Sequence, residues 1–257
     1  MSRLPLTFAC RSTVCAGTLD TAPGSAGLLI VSGGNEIRSG AFSGQARLAA
    51  EIAAMGFPVF RFDRRGIGDS DGENRGFRES GPDIAAAIEA FRAMAPQVDR
   101  VVGFGNCDAA SALMLAGGAG CDGLVLSNPW TIESDDGAPP ADAIRSRYVE
   151  KLKNPRELVR LVTGKVDLGK LARGIGKAVR PKAEPGTLAQ DIAAGLARFE
   201  GRVDILLAEK DRTAQAFSAV WDRSDQRISR CADATHAYVE PDSRTWLREQ
   251  LLKALRA

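Results

Sequence analysis

The residues of this chain best suited to covalent chemistry are one cysteine, one histidine and one acid. Cys107 stands in Arg100-Val-Val-Gly-Phe-Gly-Asn-Cys107-Asp-Ala-Ala-Ser111, where a short apolar strand runs into a glycine-flanked turn and then a helix. A nucleophile at the apex of such an elbow sits in strained backbone that tolerates only small neighbours two residues to either side, and Gly105 and Ala109 are small. A thiol at the first turn of a helix also lies near the positive end of the macrodipole, where thiolate is favoured over thiol. The sole histidine, His236, follows in Cys231-Ala-Asp-Ala-Thr-His-Ala-Tyr238. Between them, Leu206-Leu-Ala-Glu-Lys-Asp211-Arg-Thr places an acid just past another apolar strand.

A free cysteine among small residues more often packs as a small hydrophobe than acts as a nucleophile. Here the strand before it, the helix after it and the downstream acid and histidine favour a Cys107, Asp211, His236 triad. Glu209 and Asp204 compete for the acid position. Asp204 falls inside the strand pattern and Glu209 comes two residues early, so Asp211 is preferred, and Asp233 reads as a loop cap. The chemistry is acyl transfer to water: Cys107 attacks an ester or thioester carbonyl, His236 shuttles the proton and Asp211 orients the imidazole. The backbone N–H of Asp108, with that of Gly34 or Asn35, is expected to form the oxyanion hole, where losing one donor costs about 3 kcal/mol. The Asp108 carboxylate is read as stabilising the helix start in preference to acting on the thiol. Arg38 stays open between pairing a substrate carboxylate or phosphate and a structural surface role. Trp130 stays open between lining the pocket and packing in the core. Arg65 is read as structural.

The elements that must position these groups alternate. Leu4 to Cys10 and Cys15 to Leu19 predict an opening antiparallel pair, followed by a buried strand over Gly27 to Ser32. A helix from Ser43 to Met55, a strand over Pro58 to Asp63, a helix from about Gly81 to Ala95, the elbow strand and its helix to Ala116, and a strand over Gly123 to Ser127 complete a strand–helix alternation. That pattern predicts an α/β fold with a mostly parallel central sheet flanked by helices. It breaks after Trp130, where charged helical segments such as 141–164 predict a helical cap insertion. It resumes with a strand at Val203 to Ala208, a helix at Ala214 to Asp222, a short strand near Ile228 and an amphipathic helix from Ser243 to Leu255. The expected organisation is 1–129 as the first part of the core, 130–200 as the cap and 201–257 as the second part. The glycine pairs Gly66/Gly68 and Gly174/Gly176 lack dinucleotide spacing and read as turns, so no cofactor is expected.

Composition bounds the partners. Of 257 residues, 44% are hydrophobic and 26% charged, which is ordinary for a globular protein. The five cysteines are odd in number and lack metal-ligand spacing, so free thiols in a reducing cytoplasm are expected and no metal site. No signal peptide and no membrane span are expected. The net charge of +2 conceals twelve Lys or Arg against three acids between Arg145 and Lys182. Without aromatic interleaving that segment does not predict nucleic-acid binding. It is read first as a solvated face, and second as a positive field drawing an anionic small-molecule acyl substrate or giving weak peripheral contact with anionic lipid.

Leu4-Pro-Leu-Thr-Phe8, the Gly33-Gly34 loop with Arg38, Phe62-Asp-Arg-Arg-Gly-Ile-Gly-Asp-Ser70, Gly105-Asn-Cys-Asp-Ala-Ala-Ser111 and Leu126-Ser-Asn-Pro-Trp130, with the acid and the histidine, resemble the α/β-hydrolase superfamily. More narrowly, they resemble the first of the two hydrolases associated with the bacterial exosortase A system. That resemblance spans nearly the whole chain and implies an α/β-hydrolase fold and a role around exopolysaccharide production and surface-protein sorting. The cysteine elbow also looks like that of dienelactone hydrolases, although Ala109 replaces the usual second glycine. Two other functions share these features: an acyltransferase using the same triad, and a hydrolase-like binding module that no longer turns over.

Overall fold

The computed structural model describes residues 2–133 and 187–257. Among these, eight strands form one sheet: β1 Arg3–Cys10, β2 Thr13–Asp20, β3 Ala26–Val31, β4 Val59–Phe62, β5 Arg100–Asn106, β6 Gly123–Ser127, β7 Arg202–Ala208 and β8 Ile228–Cys231. Their spatial order is β1-β2-β4-β3-β5-β6-β7-β8. The β1–β2 hairpin is antiparallel and β2 meets β4 antiparallel, while every pairing from β4 through β8 is parallel. The described helices are α1 Gly44–Ala54, α2 Gly81–Met94, α3 Asp108–Leu115, α4 Thr187–Leu196, α5 Arg212–Val220 and α6 Pro241–Arg256.

The period-two alternation of a strand sends successive side chains to opposite faces, and both faces here are apolar. On β3, Leu28 and Ile30 join the layer built by Leu48 and Ile52 of α1 and Leu251 and Leu255 of α6. Leu29 and Val31 face the other way, into a layer with Ile84 and Phe91 of α2, Leu113 of α3 and Phe217 of α5. Phe60 and Phe91 stack there with ring centroids 5.6 Å apart. Burial on both faces is why these strands read as continuous apolar runs.

Helix α4 lies inside the interval assigned to the cap, yet Leu188, Ile192 and Leu196 are buried in the same layer as α3. A Cβ on Gly195 would come 2.8 Å from the Leu115 Cα, so the glycine lets the α4 backbone approach the end of α3 closely. The described C-terminal end of that interval is therefore core. The helical segment 141–164, the basic segment 145–182 and the Gly174/Gly176 pair fall outside the described residues. Among the described residues, no helix is long and apolar enough to cross a membrane, and no cluster of His, Cys, Asp or Glu is placed to hold a metal.

Parallel register aligns the carboxyl ends of the central strands. Asn106 pairs with Ser127, Ser127 with Leu206, and Ala208 with Cys231. The loops leaving β5, β6, β7 and β8 therefore meet at one edge of the sheet, where ligands of open α/β sheets bind.

Candidate active site

Strand β5 ends where there is no room for side chains. A Cβ on Gly105 would lie 2.6 Å from the Ala109 carbonyl carbon and 2.7 Å from Ala110 N, so only glycine lets α3 fold back so tightly. At the apex Cys107 adopts φ 64° and ψ −128°, a conformation costing on the order of 1–3 kcal/mol for a residue with a side chain. Neighbouring backbone holds it. Cys107 N donates to Ser127 O on β6 at 3.0 Å, and Cys107 O accepts from Ser111 N and Trp130 N, each at 3.3 Å.

Asp211 follows β7 and caps α5, its Oδ2 accepting from Ala214 N at 3.1 Å. That cap explains why the helix begins at Arg212 and not at Ala214, as the residue pattern alone suggested. The same Oδ2 lies 3.0 Å from His236 Nδ1, although the ring N–H is off the line of a straight hydrogen bond. Such contacts in acid–base pairs often align fully only with substrate bound. With Nδ1 turned toward Asp211, Nε2 is left for the Cys107 thiol. The contact with Asp211, then that with Cys107, push His236 up from 6.5 to about 10 against the opposing effect of burial. Among the rival acids, Glu209 is exposed, Asp204 pairs with Arg202 at 2.8 Å and Asp233 with Lys210 at 2.9 Å.

The loop carrying His236 is tied to the sheet by residues that sequence reasoning left without a role. Asn106 Nδ2 donates to His236 O at 3.0 Å. Fully buried Asn128 donates from Nδ2 to Asn106 Oδ1 at 2.9 Å and accepts at Oδ1 from Ala208 N at 2.8 Å. Tyr238 OH meets Ser127 Oγ at 2.9 Å. Asn128 thus links the ends of β5, β6 and β7 to the histidine loop. Its signal was present in Ser-Asn-Pro-Trp, since asparagine tolerates the left-handed conformation it adopts, φ 44°. An amide bridging three strands, however, becomes visible only once those strands are neighbours.

Arg38 and Gly34 have partners that lie far away in the sequence. Arg38 does not line the cavity: its guanidinium pairs with buried Asp63, with Asp69 at 2.9 Å and with Thr18 Oγ1 at 3.1 Å. Its carbonyl accepts from buried Arg61 at 2.6 Å, so the structural alternative holds. Gly34 N–H is not a free donor either. It donates to both carboxylate oxygens of Asp108, at 2.7 and 2.9 Å, and that contact joins the loop after β3 to the start of α3. Asn35 lines the cavity, its Oδ1 accepting from Asn74 Nδ2 at 2.9 Å. Trp130 serves both of its readings, lining the cavity and packing on the core. Arg65 pairs with buried Asp83.

Cys107, His236, Gly34, Asn35, Asp108 and Trp130 open onto one cavity of about 840 Å³ that extends between α1 and α6. Phe42, 92% exposed, and Val239, 68% exposed, stand on its lining.

No protein-family model matches the chain, and no curated protein does. Solved structures match along its length. The α/β hydrolase GrgF from Penicillium sp. sh18 is 16% identical, with 100% of this chain and 98% of that one covered and a TM-score of 0.66. The esterase Pf2001 of Pyrococcus furiosus is 12% identical, over 99% of this chain and 90% of that one, at a TM-score of 0.60. A thioesterase domain from the curacin biosynthetic pathway is 10% identical, over 98% and 100%, at 0.57. The chain has the α/β-hydrolase fold, with the eight-stranded, mostly parallel sheet and flanking helices of that class.

Two outcomes follow from this geometry. Asn128→Ala leaves buried Ala208 N–H without its acceptor, whereas half-buried Asn106 Oδ1 opens to the cavity, and urea unfolding should show a loss of about 1–3 kcal/mol for the buried amide left unsatisfied. Because the folded state raises the His236 value from 6.5 to about 10, its contribution to stability is complete below the unfolded value and disappears as pH rises through the folded one. The melting-temperature advantage of the wild type over His236→Gln should therefore be largest near pH 6 and vanish by the alkaline end of a pH series. An advantage that grows with pH would reverse the sign.

Proposed function

We propose that this chain is a cysteine-dependent hydrolase that cleaves an ester or thioester through an acyl-enzyme. The observation that carries this reading is the meeting of Cys107, at positive φ, with His236, itself backed by Asp211, on a cavity otherwise lined mainly by apolar side chains. The fold shared with proteins named as an esterase and a thioesterase supports it.

In this mechanism His236 Nε2 already holds the Cys107 proton, as its raised pKa requires, when Sγ bonds to the carbonyl carbon and moves the carbonyl electron pair onto oxygen. Asp108 N–H heads α3, where first-turn donors have no intrahelical acceptor, and faces that oxyanion together with Asn35 N–H, or with Gly34 N–H once the Asp108 carboxylate has left it. Collapse expels the alcohol or thiol, which takes the proton from His236. Water then attacks the Cys107 thioester, giving its proton to His236, and collapse releases the thiolate and a carboxylic acid. Asp211 keeps Nδ1 in place and stabilises the imidazolium in both halves.

The cavity supports a substrate with an apolar portion, which Phe42 and Val239 would cover, and an anionic group. Among the charged groups of the lining with no ion pair among the described residues, Arg47 favours an anion and Glu36 opposes it, so the anionic preference rests on the group lying nearer Arg47 than Glu36. The basic segment, 145–182, adds to the same expectation. The resemblance to the exosortase-associated hydrolases extends the proposal to an acyl compound of exopolysaccharide production or surface sorting. An acyltransferase would share the acyl-enzyme and differ only in the acceptor.

Cys107→Ala should reduce hydrolysis of p-nitrophenyl butyrate and of a butyryl thioester to the uncatalysed background, with circular dichroism unchanged. Cys107→Ser should retain little activity, because a hydroxyl ionises far less readily than a thiol. Wild-type rates in the alanine variant would remove Cys107 from the reaction.

A further inference from the structure

The product of ester hydrolysis is a carboxylate whose oxygen lies where the oxyanion lay. In this structure Gly34 N–H, one of the donors proposed for that oxyanion, already holds a carboxylate. Asp108 presents both carboxylate oxygens to Gly34 N–H, at 2.7 and 2.9 Å. The neighbouring residue is cut to fit it, because a Cβ on Gly33 would overlap Asp108 Oδ1. Behind the pair, Arg64 is 4% exposed and donates to Gly34 O and, at 2.9 Å, to Ser80 Oγ. Its buried guanidinium is partly compensated by the Asp108 charge. A backbone donor with a buried cation nearby favours a carboxylate over a neutral group, and charge-assisted bonds are the stronger kind. Such a place would retain the acid that the reaction forms.

We propose that Asp108 is a specificity-determining residue of this site: its side chain is a tethered carboxylate that competes with the acid product for Gly34 N–H and drives that product out. The proposal rests on the ester-hydrolase reading. Tethering gives Asp108 a high effective concentration, so it reclaims the donor once deacylation is complete, and its charge repels an anion beside it. The acyl carbonyl must displace it at the start of each cycle. That displacement weakens substrate binding, but the developing oxyanion makes a charge-assisted bond that a neutral carbonyl cannot. Gly34 is exposed, which leaves room for the exchange.

The test measures butyrate binding as protection of Cys107 from iodoacetamide, each protein being referenced to its own unprotected alkylation rate, with neutral butyramide as the control. Asp108→Ala should bind butyrate about tenfold more tightly, the scale of one charge-assisted bond regained. Asp108→Asn, which keeps an acceptor and loses the charge, should fall between. Butyramide should gain less than butyrate in both variants, and butyrate should become the stronger product inhibitor of p-nitrophenyl butyrate hydrolysis. A purely structural role would weaken both ligands or neither. Equal affinities in wild type and Asp108→Ala, or equal gains for the acid and the amide, overturn the proposal while leaving the hydrolase reading intact. If the wild type turns over no ester and Asp108→Ala still gains for butyrate, the hydrolase reading fails and the carboxylate site stands alone.

Discussion

The site depends on one strained residue. Cys107 is forced into positive φ between a strand and a helix, and without that turn neither the thiol nor the Asp108 amide would face the cavity. A cost on the order of 1–3 kcal/mol persists only where the surroundings over-determine it. Here Cys107 N is held by Ser127 O, Cys107 O by Ser111 N and Trp130 N, and the space beside the turn is closed at Gly105. The adjacent β6 supplies the first of these bonds, so the elbow is a property of the sheet as much as of its own sequence.

The remaining groups reach the elbow by buried polar connections. The parallel register places the ends of β5, β6 and β7 side by side, and the Asn106 and Asn128 amides carry that alignment to the His236 carbonyl. Asp211 caps α5 with the same oxygen that approaches His236, which couples the helix position to the imidazole. The charges near the cavity are handled differently. Arg38 is spent on Asp63 and Asp69, and Arg64 is buried behind the Gly34 to Asp108 contact. Of the arginines on the cavity lining, Arg244 pairs with Glu51, whereas Arg47 faces it with no ion pair among the described residues.

What was legible in the sequence were features with local causes. Glycine spacing and the apolar run located the elbow, and two-residue and helical periodicities located the strands and helices within a residue or two. Asp211 was separable from Glu209 because Glu209 comes two residues too early after the strand, and in the structure Glu209 is exposed whereas Asp211 is buried. What escaped depended on distant partners. Whether Arg38 faced a substrate or Asp63 turned on the fold of the Asp63–Ser70 turn. That Asp108 would accept from Gly34, 74 positions away, was invisible in either segment alone. Helix α4 was assigned to the cap because charged neighbours obscured its apolar face, which packs on α3.

The most direct test of the central claim is mass spectrometry of protein quenched in acid during turnover of a slow ester, followed by digestion. The account predicts that the peptide containing Cys107 gains the mass of the acyl group, that hydroxylamine removes it, and that His236→Ala lowers its yield. An acyl group found on another residue, or turnover with no covalent adduct at any quench time, would contradict it.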